Sequence, residues 1–411
     1  MTEPWQWNVT EAARQIAAKR IASREYVHAL LARIAHHEPR LQAWAQLAGD
    51  AAEAEASNCD ADTMRGVSRG PLHGVAIAIK DILDVAGMPT RVGSDLTDCR
   101  SATSDAEVVR KLRASGAIIL GKTAMTAFAA MDPAPTRNPW NGDHTPGGSS
   151  SGSAAAVAAQ MCAASLGTQT AGSVLRPAAY CGIVGLKPTY DAVSRKGLTP
   201  CAWSMDHIGV MARDVADVEF LFGILADAAT PLKNDGNAAP VIGIAQSHFD
   251  ATDPDVAESF KRVVDTLSGA GATVVPVRLP DGFEALAATG IVTMYAEMAA
   301  SHRDLFARRR DEYPPRLHVL VEAGLAVSAS DYIHAQRVRH RASQAFKLAR
   351  QCHRAADADN GRACACGPRQ HGRLALQYSI QRFRPSGDHA AMRDVERRSA
   401  DRRAGSGGAH P

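Results

Sequence analysis

Apolar positions recur every three to four residues over residues 10–48. Ile21, Val27, Leu30, Leu31 and Ile34 fall near a 3.6-residue period, which predicts helices with Thr10 as an N-cap. The pattern changes at Gly70–Asp81, GPLHGVAIAIKD, where Val75–Ile79 is an unbroken apolar run. Such a run predicts a strand covered on both faces. Asp105–Gly116 returns to helical spacing and stops at a glycine, and Ala117–Thr123 predicts the next strand. Gly182–Thr189, GIVGLKPT, predicts another buried strand. A second alternation follows: helix at Asp214–Leu225, strand at Val241–Ala245, helix at Asp255–Leu267, strand at Thr273–Val277. Strands alternating with helices imply an α/β fold, a mixed to mostly parallel central sheet with helices on both faces. No internal repeat is present.

The 411 residues are 45% hydrophobic with a formal charge of +3, so the chain can bury a large core. That balance gives no overall electrostatic case for nucleic acid or an anionic membrane. No apolar run reaches the roughly 18–20 residues of a membrane span. The opening MTEPWQWNVTEAARQ lacks the basic and apolar parts of a secretory signal, so a cytoplasmic location is expected. The eight cysteines are then expected to be reduced thiols. Cys364 and Cys366 with nearby His371 match no zinc-binding spacing, and no metal is assigned. The chain divides into a helical segment 1–65, an α/β core 66–350 and a tail 351–411. From Gln351 onward there is no lysine, arginine is abundant, and three of the eight cysteines occur. Its end, DVERRSADRRAGSGGAHP, has no core-forming periodicity and reads as disordered or poorly packed.

The candidate chemistry lies in two serine loops. Thr145–Gln160, TPGGSSSGSAAAVAAQ, has the composition of a flexible linker but runs straight into an alanine-rich segment. Gly147 and Gly148 permit a backbone path that a Cβ would resist, and Ser149–Ser153 offers N-caps for a helix starting near Ala154. A tight loop feeding a helix is therefore expected. After that helix, Leu166–Gly182, LGTQTAGSVLRPAAYCG, reads as a second loop. It puts Ser173 behind Ala171 and Gly172, where backbone N–H groups can converge on a substrate oxygen. A serine hydroxyl needs a base. Lys80, at the end of an apolar strand, is the best candidate, because desolvation lowers an amine's pKa toward neutrality. A relay from Lys80 through Ser149 to Ser173 is expected. His144 and His207 receive no catalytic role. Ser150, Ser151 and Ser153 are read as structural.

These stretches resemble the successive motifs of the amidase signature family. PLHGVAIAIKDILDVAGMPT, NPWNGDHTPGGSSSGSAAAVAA and GTQTAGSVLRPAAYCGIVGLKPT stand in the family's order, and SMDHIGVMARDVADV extends the likeness to about residue 230. The resemblance implies a serine–cis-serine–lysine triad: Ser173 as nucleophile, Ser149 as bridging serine after a cis peptide, Lys80 as base. It implies an oxyanion hole from the backbone N–H groups of Thr170, Ala171, Gly172 and Ser173, with no metal or organic cofactor. Arg176 resembles a position in malonamidase-like members that would clamp a substrate carboxylate; the alternative is an arginine that ties the loop to an acidic neighbour. The resemblance to dimeric relatives implies that the N-terminal helices pack against a second copy.

The sequence also departs from the family pattern. Gln169 and Ala171 replace a common acid and glycine, Ala76 a common proline, and Tyr190–Val193 lacks the usual glycine–arginine pair. After about Ala349 the glycine- and proline-rich strand motifs of the family are missing. The tail is read as a reading-frame shift or a truncated gene, with a divergent tail as the alternative. Three readings follow. One is an amidohydrolase acting on a small carboxamide. Another is a protein like the A subunit of a glutamyl-tRNA amidotransferase, against which WSMDHIGV speaks. The third is a remnant that keeps the motifs without the activity.

Overall fold

The structure is a computed structural model that describes residues 3–97, 101–227, 239–245, 253–277 and 285–358, together with Leu279 and Phe283. In chain order the first elements are α1 (Val9–Ala17), α2 (Ser23–Leu41), β1 (Trp44–Leu47) and α3 (Gly49–Met64). Next come β2 (Ala76–Lys80), α4 (Glu107–Ala114), β3 (Ile118–Thr123), α5 (Ser151–Ala158), β4 (Ala164–Gln169) and α6 (Leu175–Cys181). They are followed by β5 (Val184–Leu186), β6 (His207–Ala212), α7 (Val215–Leu225), β7 (Val241–Ile244), α8 (Pro254–Gly269) and β8 (Thr273–Pro276). Three helices close the described chain: α9 (Ala285–Arg309), α10 (Pro315–Leu325) and α11 (Ala329–Ala358).

Six strands form the main sheet in the order β1-β3-β2-β4-β6-β5. Only the central pairings, β3 with β2 and β2 with β4, are parallel; β1–β3, β4–β6 and β6–β5 are antiparallel. The sheet is thus mixed, and its parallel character is confined to the middle. Every residue of β2, β3 and β4 is buried, so both faces of the sheet's centre are covered. One cover is α5, whose sequence SGSAAAVA is nearly all small side chains. Small residues let the helix lie close: a Cβ on Gly152 would stand 2.1 Å from the Ala43 carbonyl oxygen.

Several expectations are corrected. The N-cap of α1 is Asn8, whose side chain accepts from Glu11 N; Thr10 already lies inside the helix. The N-terminal segment is not wholly helical, because β1 adds an edge to the main sheet through β3. Helix α5 begins at Ser151 rather than near Ala154. The stretch expected as one loop over Leu166–Gly182 holds the end of β4, a short loop and α6. Strand β5 is a half-buried edge strand and not a buried one. Strands β7 and β8 do not join the main sheet; they pair parallel with each other and, with α8, form a compact unit within residues 235–279. Helix α11 runs through residue 350 to Ala358, and the rest of the tail, with Cys364, Cys366 and His371, lies outside the described residues. Among the described residues no helix is long and apolar enough to cross a membrane.

Candidate active site

The parallel centre of the sheet dictates where chemistry can gather. Ligands in such sheets bind outside the carboxyl ends of the strands, where loops diverge. Lys80 is the last residue of β2 and Gln169 the last of β4, so both stand at that edge. Ser149 lies on the loop that leaves β3 for α5, and Ser173 on the loop between β4 and α6. Three loops that are far apart in sequence are thereby brought to one place.

Lys80 is fully buried, and its Nζ donates to Ser149 Oγ at 2.7 Å and to Thr168 Oγ1 at 2.8 Å. Burial pulls the amine down to about 7. The carboxylate of Asp206 opposes that pull and the Arg176 guanidinium adds to it. Cys201, also nearby, has its thiol pushed up to about 12 by burial, so Asp206 is the neighbouring charge that counters desolvation.

The Gly148–Ser149 peptide is cis, as the resemblance implied. Gly147 has φ +77, and a Cβ there would press on the Pro177 backbone at 2.9 Å, so the glycine is required twice over. The three other serines are tied up structurally. Ser150 Oγ bonds both Thr168 O and Thr168 N at 3.2 Å. Ser151 Oγ donates to Gly147 O at 2.7 Å, and Ser153 Oγ meets Thr123 Oγ1 at 2.7 Å.

Ser173 is 7% exposed, and its carbonyl accepts from Ser150 N at 3.3 Å, which joins the two serine loops. Its hydroxyl makes no hydrogen bond to any described residue, Ser149 included. The backbone N–H groups of Ala171, Gly172 and Ser173 likewise donate to no described residue. Ala171 is exposed, but Gly172 and Ser173 are buried; buried backbone donors are nearly always paired, so these two are the exception to explain. The loop holds this shape through Gln169. Its Oε1 accepts from Val174 N at 2.9 Å and Leu175 N at 3.0 Å, and its Nε2 donates to Ala171 O at 3.0 Å. Asp206 fastens the other end, accepting from Thr170 Oγ1 at 2.5 Å and from Cys201 N at 2.9 Å.

Arg176 donates from Nε at 3.0 Å and from a terminal nitrogen at 2.5 Å, both to the Gly148 carbonyl oxygen. His207 pairs across the sheet with Gln169, and burial pulls its imidazole down to about 4. Its Nδ1 lies 2.6 Å from Met205 O. Ser204, in the same segment, is held from the far end of the chain. Glu297 of α9 accepts from Ser204 N at 2.7 Å and Oγ at 2.6 Å, and Arg339 of α11 donates to Ser204 Oγ at 2.7 Å and to its carbonyl.

Sequence reasoning names Lys80, Ser149, Ser173 and Arg176, and the fold brings all four together. It misses the contacts of Thr168 and Asp206, and reads Gln169 only as a departure. A signal for Thr168 exists in principle, since it lies one strand over from Lys80, but the sequence of β4 does not read as a strand.

Known proteins resemble this chain in sequence and in fold. The family model described as Amidase matches residues 25–360. The chain belongs to the amidase family. It is 40% identical over 292 residues to the A subunit of glutamyl-tRNA(Gln) amidotransferase from Anaeromyxobacter sp. (strain K), covering 66% of this chain and 59% of that one. The chain thus spans less than two thirds of that relative's length. The protein of the same name from Anaeromyxobacter dehalogenans is 35% identical over 374 residues, covering 80% and 76%. Among solved structures, one titled as an amidase superposes with TM-score 0.78 at 33% identity, covering 84% of this chain and 79% of that one. A peptide amidase in complex with the competitive inhibitor chymostatin gives TM-score 0.70 at 32% identity, covering 82% and 79%.

Proposed function

We propose that this amidase-family chain hydrolyses the C–N bond of a small carboxamide through an acyl-enzyme on Ser173. The observation that carries the reading is the 2.7 Å hydrogen bond between a fully buried Lys80 and Ser149 Oγ, beside a loop whose N–H groups are unpartnered among the described residues. A lysine with a pKa of about 7 is substantially neutral at neutral pH and can take a proton. Ser173 Oγ attacks the amide carbonyl while its proton passes to Ser149, and the Ser149 proton passes to Lys80. The oxyanion is received by the N–H groups of the Thr170–Ser173 loop, an effect worth several kcal/mol in such sites. The same path returns the proton to the leaving nitrogen, the C–N bond breaks, and ammonia or an amine departs. Water then attacks the ester, its proton again taken by the relay, and Ser173 is regenerated. Arg176 is the group in this reading that would meet a carboxylate on the substrate.

The test is active-site labelling with a neutral fluorophosphonate, read by intact mass, on the wild type, Ser173→Ala and Lys80→Ala. Stoichiometric labelling that disappears in both variants supports the reading. A folded wild type that takes no label sinks it, and the remnant reading then stands.

The second reading, a protein like the A subunit of glutamyl-tRNA amidotransferase, is favoured by the relatives of that name at 35–40% identity. Ammonia release assays separate the two. A stand-alone amidase turns over small carboxamides by itself, whereas an amidotransferase component depends on its partner proteins. A cytoplasmic location, a small-molecule amide partner and homodimerisation belong to the first reading.

A further inference from the structure

Ser149 has to stand between two groups, Lys80 and Ser173, that reach it from different strands. Its hydrogen bond to Lys80 fixes one side. What fixes the other is found on α6, the helix that begins two residues after Ser173. The loop before Ser149 is fastened along that helix. Cys181 Sγ lies 3.5 Å from Pro146 O, and Asn138 Nδ2 bridges Thr145 O at 3.1 Å and Tyr180 O at 3.0 Å. Gly147 packs directly on Pro177. The last fastening before Ser149 is the two-pronged donation from Arg176 to Gly148 O.

A peptide group is planar, so the Gly148 oxygen, the Ser149 nitrogen and the Ser149 Cα move as one body. Holding that oxygen with two N–H groups sets the position of Ser149 Cα. Arg176 is itself only three residues from Ser173 and sits in the first turn of α6. The guanidinium is therefore a side-chain link between the two serine loops, beside the direct backbone bond from Ser150 N to Ser173 O, and its fork cannot rotate as an ammonium can. We propose that Arg176 is a positioning residue for Ser149, setting the spacing of the Ser149 and Ser173 hydroxyls through the Gly148 carbonyl. This inference rests on the serine–serine–lysine reading above. It predicts that Arg176 matters for every substrate, with or without a carboxylate.

The experiment uses the full chain with Arg176→Ala and Arg176→Gln, the second keeping one donor and much of the stem. Fluorophosphonate labelling rates and steady-state kinetics are measured on paired amides that differ only by a carboxylate. The expected result is an about 100-fold slower labelling of Arg176→Ala, the scale of a 1 Å misplacement, with kcat reduced alike on both amides and KM little changed for the amide without a carboxylate. Arg176→Gln should lose less. The acid limb of the kcat/KM profile should also move to higher pH, since the guanidinium is one of the charged or ionisable groups facing Lys80, with Asp206 and Cys201. Undiminished labelling, with a loss confined to KM for the carboxylate-bearing amide, overturns the proposal and makes Arg176 a substrate clamp alone. If Arg176→Ala does not give a cooperative unfolding transition, the kcat-against-KM comparison in Arg176→Gln decides. A wild type that does not label at Ser173 overturns the underlying reading and this proposal with it.

Discussion

Thr168 Oγ1 stands 2.8 Å from Lys80 Nζ, so the buried amine serves two hydroxyls, one on a strand and one on the Ser149 loop. Thr168 belongs to β4, which pairs in parallel with β2, and this contact is set by the sheet itself. The amine is thus oriented by rigid structure before any proton moves. That orientation and the depressed pKa together make Lys80 the residue whose behaviour is easiest to test.

Activity should rise with pH along a limb centred near 7, because only the neutral amine accepts a proton. Stability should follow a related course with the sign that a depressed lysine demands. Unfolded, the amine binds a proton below about 10.5; folded, it does so only below about 7. The unfolded state therefore gains as pH falls through that window. Lys80→Met lacks this term. Its stability relative to the wild type should climb by up to about 1.4 kcal/mol per pH unit between pH 10 and 7, then level off. Urea unfolding of both proteins at pH 7, 8 and 9 reads it, and a difference that does not depend on pH would refute the buried-amine account.

Gln169 should prove indispensable to the loop although it sits where many family members have an acid. Its oxygen satisfies Val174 N and Leu175 N, and its amide nitrogen reaches Ala171 O. Gln169→Leu strands the buried Val174 N–H and the part-buried Leu175 N–H; a buried group left unpaired costs about 1–3 kcal/mol. Gln169→Glu keeps the acceptor, loses the donor and sets a carboxylate oxygen against the Ala171 carbonyl. Labelling of Ser173 should drop by at least tenfold in the leucine variant and much less in the glutamate variant. Equal losses in the two would mean that the donor bond, not the acceptor, shapes the loop.

Away from the site, His302 should make the protein acid-sensitive. It is buried in an aromatic cluster, Nδ1 lies 2.9 Å from Tyr313 Oη, and burial pulls its imidazole down to about 4. Unfolded, it would titrate near 6.5. Below that value the unfolded chain binds a proton that the folded chain refuses until about 4, so stability is lost as pH falls from 6.5 to 4. His302→Gln should lower stability at pH 7 yet flatten this decline, by up to about 1.4 kcal/mol per pH unit. Denaturant midpoints at pH 7 and pH 5 distinguish a flattened slope from an unchanged one.

What can be read from sequence depends on side-chain contrast. Strand β2 is legible because Val75–Ile79 is apolar without a break, and Lys80 because it ends that run. Helix α4 is legible from its apolar face and the glycine that follows it, and α7 from Asp214, which accepts from Asp217 N at its start. Strand β4 is not legible: ASLGTQ is small and polar, and its burial comes from its place between β2 and β6 with the alanine-rich α5 against one face. Thr10 and Asn8 are both good capping residues, and what decides between them is Asp217, which takes the Val9 and Thr10 amides from over 200 residues away. The bond from Thr170 to Asp206 and the grip of Glu297 and Arg339 on Ser204 are equally beyond local pattern, spanning 36 to 135 residues. Lys80, Ser149 and Ser173 are found through motif resemblance, whereas the groups that hold them in place belong to tertiary structure.

The grip of Glu297 and Arg339 on Ser204 gives the site a place in time as well as in space. A chain emerging from the ribosome has Lys80, Ser149, Ser173 and Asp206 in hand by residue 206. The helices that pin the segment carrying Asp206 are made about 90 to 135 residues later, as the sequence separations of these hydrogen bonds record. Contacts of such long range form only after loop closure over the intervening chain. The nascent protein therefore carries its chemical residues well before it carries the braces for them, and the last brace arrives with α11, next to the stretch where the sequence changes character.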